Sequence, residues 1–150
     1  MKKILSGIIL ALISNFAVFA QSSERVSALL ESETATCAQS SYLAAVYAKL
    51  IDEQSTDLQA FEALKSNGYF SSDSEADSEV TLSELSFIYM KALNLKGGLF
   101  YTLFPSKRYS YKELKAKDVL PKESDPSMKV SGRDTIDIFN ACLELTGETE

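Results

Sequence analysis

Lys107, Arg108, Tyr109 and Tyr111 set two cations beside two aromatic rings, a few residues after Tyr101 in an apolar connector that also holds Leu99, Phe100, Leu103 and Phe104. Aromatic faces stack on sugar rings, while Lys and Arg pair with carboxylate or phosphate, Arg in bidentate fashion. Tyr101, Lys107, Arg108, Tyr109 and Tyr111 are therefore the candidate binding residues. The same stretch admits a plainer reading, in which Leu99 to Phe104 form a buried, strand-like crossover and Lys107 and Arg108 mark a solvated turn.

Residues suited to bond making are scarce. The chain contains no histidine, which removes the commonest general base near neutral pH and the commonest zinc ligand. No Gly-x-Ser-x-Gly elbow, phosphate loop or dinucleotide fingerprint occurs. Asp73, Glu75, Asp77 and Glu79 alternate as in a calcium loop, but Ser78 stands where such a loop needs glycine for its sharp turn. A solvated acidic loop is the expectation, with no metal, no cofactor and no catalytic residue.

Cys37 and Cys142 are the only thiols. Their meaning depends on the compartment. Lys2 and Lys3 precede an apolar run from Ile4 to Phe19 that ends on Val18-Phe19-Ala20 and is followed by polar Gln21-Ser22-Ser23. That is the pattern of a cleavable signal peptide over residues 1–20. Residues 21–150 are then one exported domain, periplasmic or at the cell surface, with no integral membrane segment. Two cysteines in an oxidising compartment tend to pair, and a loop this long would add about 4 kcal/mol on bridging. Two separate buried thiols are the other reading, and the sequence leaves both open.

Charge is unevenly spread. The formal net charge of −6 divides into three blocks once Lys2 and Lys3 are set aside. Residues 24–90 hold 3 basic and 12 acidic side chains, residues 91–122 hold 8 and 2, and residues 123–150 hold 2 and 7. A basic island between acidic flanks can attract an anionic partner at short range, but the flanks cancel its field beyond a Debye length. Nucleic acid is therefore not an expected partner.

The elements that must position these residues are legible from self-similarity. Phe61 to Leu95 aligns without a gap on Tyr111 to Leu145, at an offset of 50 residues. Leu58 to Ser66 and Tyr109 to Ala116 space their apolar residues three and four apart, as a helix needs to bury one face. A polar loop follows each. Then Thr81 precedes Glu84, and Ser131 precedes Asp134, by three residues, the capping-box spacing that opens a helix. Those second helices are expected to run to about Leu95 and Thr146, with Gly97 and Gly147 as stops. Thr36 to Gln39 is again a capping box and opens a third, partial copy. The expected fold is all-α: tandem helix-loop-helix units at about 24–51, 57–97 and 108–147 packed round one core.

A short helix, a turn, an apolar pair, a loop and a Thr or Ser that opens an acid-containing amphipathic helix together resemble the S-layer homology module. The resemblance runs over Leu58 to Leu95 and Tyr109 to Leu145, more weakly over Val26 to Leu50, and keeps Thr81 and Glu84 of that module's second-helix signature. The string from Lys96 to Pro105 and its following Tyr-rich helix are also similar to exported spirochaetal proteins. These resemblances imply attachment to anionic cell-wall glycan or peptidoglycan. An interaction or assembly role toward an envelope protein is the alternative that an exposed Leu99 to Phe104 would favour.

Overall fold

The computed structural model describes residues 23–147 of the chain. The expected signal peptide lies outside them. Among the described residues the protein is all-α, with no strand and only two isolated β-bridges. Helix α1 covers residues 23–30. It is followed by α2 (Cys37–Tyr47), α3 (Asp57–Ser66), α4 (Leu82–Ala92), α5 (Leu99–Leu103), α6 (Lys107–Ala116) and α7 (Gly132–Thr146).

Each helix from α2 on, α5 excepted, starts where a hydroxyl can satisfy an orphan backbone N–H. Thr36, Thr56 and Thr81 form full capping boxes with Gln39, Gln59 and Glu84. Ser106 accepts from the N–H of Tyr109. Ser131 accepts from the N–H of Asp134 and donates its own proton to Oδ2 of that carboxylate at 2.7 Å. Just beyond the ends of α2, α3, α4 and α6, the residues Lys49, Gly68, Asn94 and Asp118 turn the chain with φ of 56°, 73°, 50° and 57°. Helix α4 therefore stops at Ala92, short of the expected Leu95, because Asn94 rather than Gly97 makes the left-handed turn.

Local contacts recur along the chain. Lys65 Nζ donates to the Ser74 carbonyl at 2.7 Å, and Lys115 Nζ to that of Ser124 at 2.9 Å. The N–H of Tyr69 bonds to Leu64 O as that of Val119 bonds to Leu114 O, and the N–H of Ser78 to Glu75 O as that of Met128 to Asp125 O. In both halves a lysine stem bridges the short helix to its loop, fixing the loop without an ion pair.

The extended residues that enter α2, α4 and α7 meet at the centre. Ala35 donates to Val130 O at 2.8 Å and accepts from Val80 N at 3.0 Å, while Leu82 N bonds to Met128 O at 2.8 Å. Each segment thus pairs with both others, so backbone groups that would be orphaned inside the molecule are satisfied. Helix α2 packs chiefly on α3 and α4 on α6, and α2, α4 and α7 touch one another in the middle. Phe61, Leu64, Leu85, Ile88, Tyr89 and Leu114 fill this core. Burying one such apolar side chain stabilises by roughly 1.5–3 kcal/mol. Tyr89 is wholly enclosed, meets Phe139 edge-on at 5.1 Å, and donates its hydroxyl to Thr135 O at 3.3 Å.

Candidate binding surface

Gly97 and Gly98 lead out of the body into α5, and close approach explains the first of them: a Cβ on Gly97 would sit 2.6 Å from the Tyr101 ring. Tyr101 packs into that gap, half-buried and hydrogen-bonded to Ser110, and burial pushes its phenol above the ordinary value. It is the inward-facing side chain of α5. Leu99, Phe100, Leu103 and Phe104 fall one, three and one positions apart, which places them on the opposite face. They are 68, 62, 58 and 64 % exposed. A buried strand-like crossover is therefore not what this segment forms. It is a one-turn helix whose apolar stripe faces outward, held by Tyr101 beneath and by Phe100 stacked on Tyr109 at 5.7 Å and 13°.

The expected binding residues part company here. Arg108 is exposed, and Tyr109 is half-buried under Phe100 with Lys112 Nζ 6.0 Å from its ring. Tyr109 and, through its ring, Lys112 adjoin the stripe. Tyr111 does not: it is buried, its hydroxyl donating to the Ser124 carbonyl and accepting from Lys115 at 3.2 Å. Lys107 lies in the first turn of α6, where a cation is disfavoured by the helix dipole, and it is engaged by Glu84 Oε1 at 2.9 Å. Burial raises the Glu84 carboxyl, yet hydrogen bonds from Lys107 and from the Thr81 hydroxyl and N–H outweigh it and hold the group below its ordinary value.

That ion pair roofs a polar cavity of about 400 Å³ in which Asp73, Glu75 and Glu79 face Lys107 and Lys129, with Cys37 among its lining. Lys129 is itself paired, 3.9 Å from Glu79. Among the described residues no three acidic or thiol groups converge closely enough to hold a metal. A second groove, of about 410 Å³, is mainly apolar and runs between Leu82, Pro121, Met128 and Ile138 beside Asp134 and Asp137. Cys37 and Cys142 are not bridged. Both are buried free thiols, pushed up to about 11 and about 12, by burial in each case and additionally by Glu84 for Cys37. At those values neither supplies thiolate near neutral pH.

The residues expected to bind, Tyr101, Lys107, Arg108, Tyr109 and Tyr111, were chosen by their chemistry alone, and the structure does not bring them together on one face. Leu99, Phe100, Leu103, Phe104 and Lys112 were missing from that choice. Their stripe spacing was the signal that could have found them. No helix among the described residues is long and apolar enough to cross a membrane. No family model, no curated protein and no solved structure matches this chain.

Proposed function

We propose that the protein is a non-catalytic binding module of the cell envelope, periplasmic or at the cell surface, which meets its partner through α5 and the first turn of α6. The exposure of Leu99, Phe100, Leu103 and Phe104 on one face carries this reading. Soluble monomers rarely leave large apolar side chains contiguous unless something binds there. A binding role also agrees with the absence of histidine and with the use of Glu84 and Asp134 in helix caps. Export rests on the charged and apolar N-terminal run. In this reading the chain is three related helix-loop-helix units closed round one core. The support is threefold: α3 and α6 begin 50 residues apart, α4 and α7 likewise, and Thr36 caps α2 as Thr81 caps α4.

The test is co-sedimentation of the purified chain with total envelope material, split afterwards into wall and membrane fractions. Binding is expected, and a loss of at least tenfold is expected in Phe100→Ser/Phe104→Ser, converted from about 1.4 kcal/mol or more of lost apolar contact. Equal binding by that variant, or no binding to any fraction, overturns the proposal.

Anionic glycan is a second reading, favoured by the Phe100–Tyr109 stack beside exposed Arg108 and by the resemblance to the S-layer homology module. It predicts binding to bare sacculi that Arg108→Ala abolishes. Sacculus binding indifferent to that change contradicts it.

A further inference from the structure

We propose that α5 docks on the surface of an anionic phospholipid bilayer. This rests on the reading of α5 as the contact surface, and adds what it contacts. The stripe of Leu99, Phe100, Leu103 and Phe104 is apolar throughout. Of the two hydroxyls on α5, that of Thr102 donates to Gly98 O at 3.1 Å and that of Tyr101 is hydrogen-bonded to Ser110. A glycan would find rings there but few donors or acceptors. The acyl boundary of a bilayer asks for neither.

Charge supplies the second half of the match. Lys112 lies by the Tyr109 ring that Phe100 covers, Arg108 is exposed in the first turn of the same helix and Lys96 just before Gly97, and none of the three enters an ion pair among the described residues. The surrounding block, residues 91–122, carries 8 basic against 2 acidic side chains. Apolar side chains below and Lys or Arg around them are what an interfacial helix needs at anionic headgroups. The molecule as a whole is acidic, at −6, but at about 0.15 M salt the field is screened within roughly 8 Å. A bilayer touching α5 therefore responds chiefly to the nearest charges, where Arg108 and Lys112 outnumber Glu113, whose carboxylate lies beside Gly98. The anchor is short, so attachment is peripheral and reversible. Tyr101, latched in the gap over Gly97, keeps the stripe turned outward before contact.

The decisive experiment uses the chain from Gln21 on, which contains the whole described core, and vesicles of phosphatidylglycerol with phosphatidylethanolamine beside vesicles of phosphatidylcholine alone. The expected result is sedimentation with the anionic vesicles, at least tenfold weaker with the neutral ones and weaker again at high salt. Leu103→Ser/Phe104→Ser, which leaves the Phe100–Tyr109 stack intact, and Arg108→Glu/Lys112→Glu should each abolish it with an unchanged helical circular dichroism spectrum. No sedimentation with anionic vesicles, or full sedimentation of both variants, overturns the proposal. If vesicles fail while isolated walls still bind through α5, the lipid assignment falls and the contact surface stands. If neither binds, both fall. Concentration-dependent self-association that Leu103→Ser/Phe104→Ser removes, with no vesicle binding, would instead make a second copy the occupant, its groove beside Met128 and Ile138 receiving the stripe.

Discussion

At the scale of single residues, Glu84 does more than cap a helix. Its carboxylate accepts from the Thr81 N–H at 3.0 Å, from the Thr81 hydroxyl at 2.8 Å and from Lys107 at 2.9 Å. Its folded value lies below the ordinary 4.5, so the unfolded chain holds the proton more tightly. Stability from Glu84 is therefore fully present above that ordinary value and is lost as pH falls through the lower folded one. Glu84→Gln should cost about 1 kcal/mol near neutral pH, measured by urea unfolding, and the gap from the unaltered protein should close as the pH is lowered toward about 3. A gap that persists there would contradict the assignment. The two thiols give a second check. Alkylation should be slow in the folded protein at neutral pH, because burial holds both groups protonated, and both should react at once in denaturant without reductant. No reaction in denaturant would mean a bridge. Some of this was beyond the sequence for a definite reason: Tyr111 finds its acceptor 13 residues on and Lys107 its carboxylate 23 residues back. Whether a cation or a phenol is free for a ligand depends on partners that only the folded chain brings near.

At the scale of elements, α5 shows where sequence periodicity stops being decisive. Gly97, Gly98 and Pro105 bound it clearly, but a run this short reads equally as a buried strand or a helix. Its direction is set by contacts that its own periodicity does not reveal, Tyr101 over Gly97 and bonded to Ser110, and Phe100 stacked on Tyr109. Tyr101→Ala should speed hydrogen exchange across residues 99–104 with a global stability change of no more than about 1 kcal/mol; an equal rise across α4 and α6 would show that the ring serves the core instead. The helix starts, by contrast, were legible from Thr36, Thr81 and Ser131, because a cap is local chemistry. Their ends were less so, since Lys49, Asn94 and Asp118 make left-handed turns that favour glycine. Asp118 stands where the preceding helix of the same kind has Gly68. Asp118→Gly should stabilise the protein by about 0.5–1 kcal/mol, as the relief of left-handed strain exceeds the added chain entropy. A lower midpoint in thermal unfolding would contradict this.

At the scale of the whole molecule, closure depends on the segments that enter α2, α4 and α7. Helices α3 and α6, and α4 and α7, begin 50 residues apart, but no periodicity says which backbone will meet which. Gly132 marks the tightest of these meetings: it donates its N–H to Ser32 O at 2.9 Å, and a Cβ there would lie 1.5 Å from the Leu29 carbonyl oxygen. Gly132→Ala must push α1 away from α7 and should cost about 2 kcal/mol or more, read from denaturant unfolding. A neutral substitution would mean that α1 is not seated on the start of α7. Outside this closed body, α5 presents an apolar face that the core does not use. Hydrogen exchange over residues 99–104, in the purified chain alone and again with isolated envelope membranes and walls, tests that claim most directly. Fast exchange alone and marked slowing with one of those fractions is the outcome expected of a contact surface. Slow exchange from the start, indifferent to both fractions, would make Leu99, Phe100, Leu103 and Phe104 part of the packed interior and contradict the account.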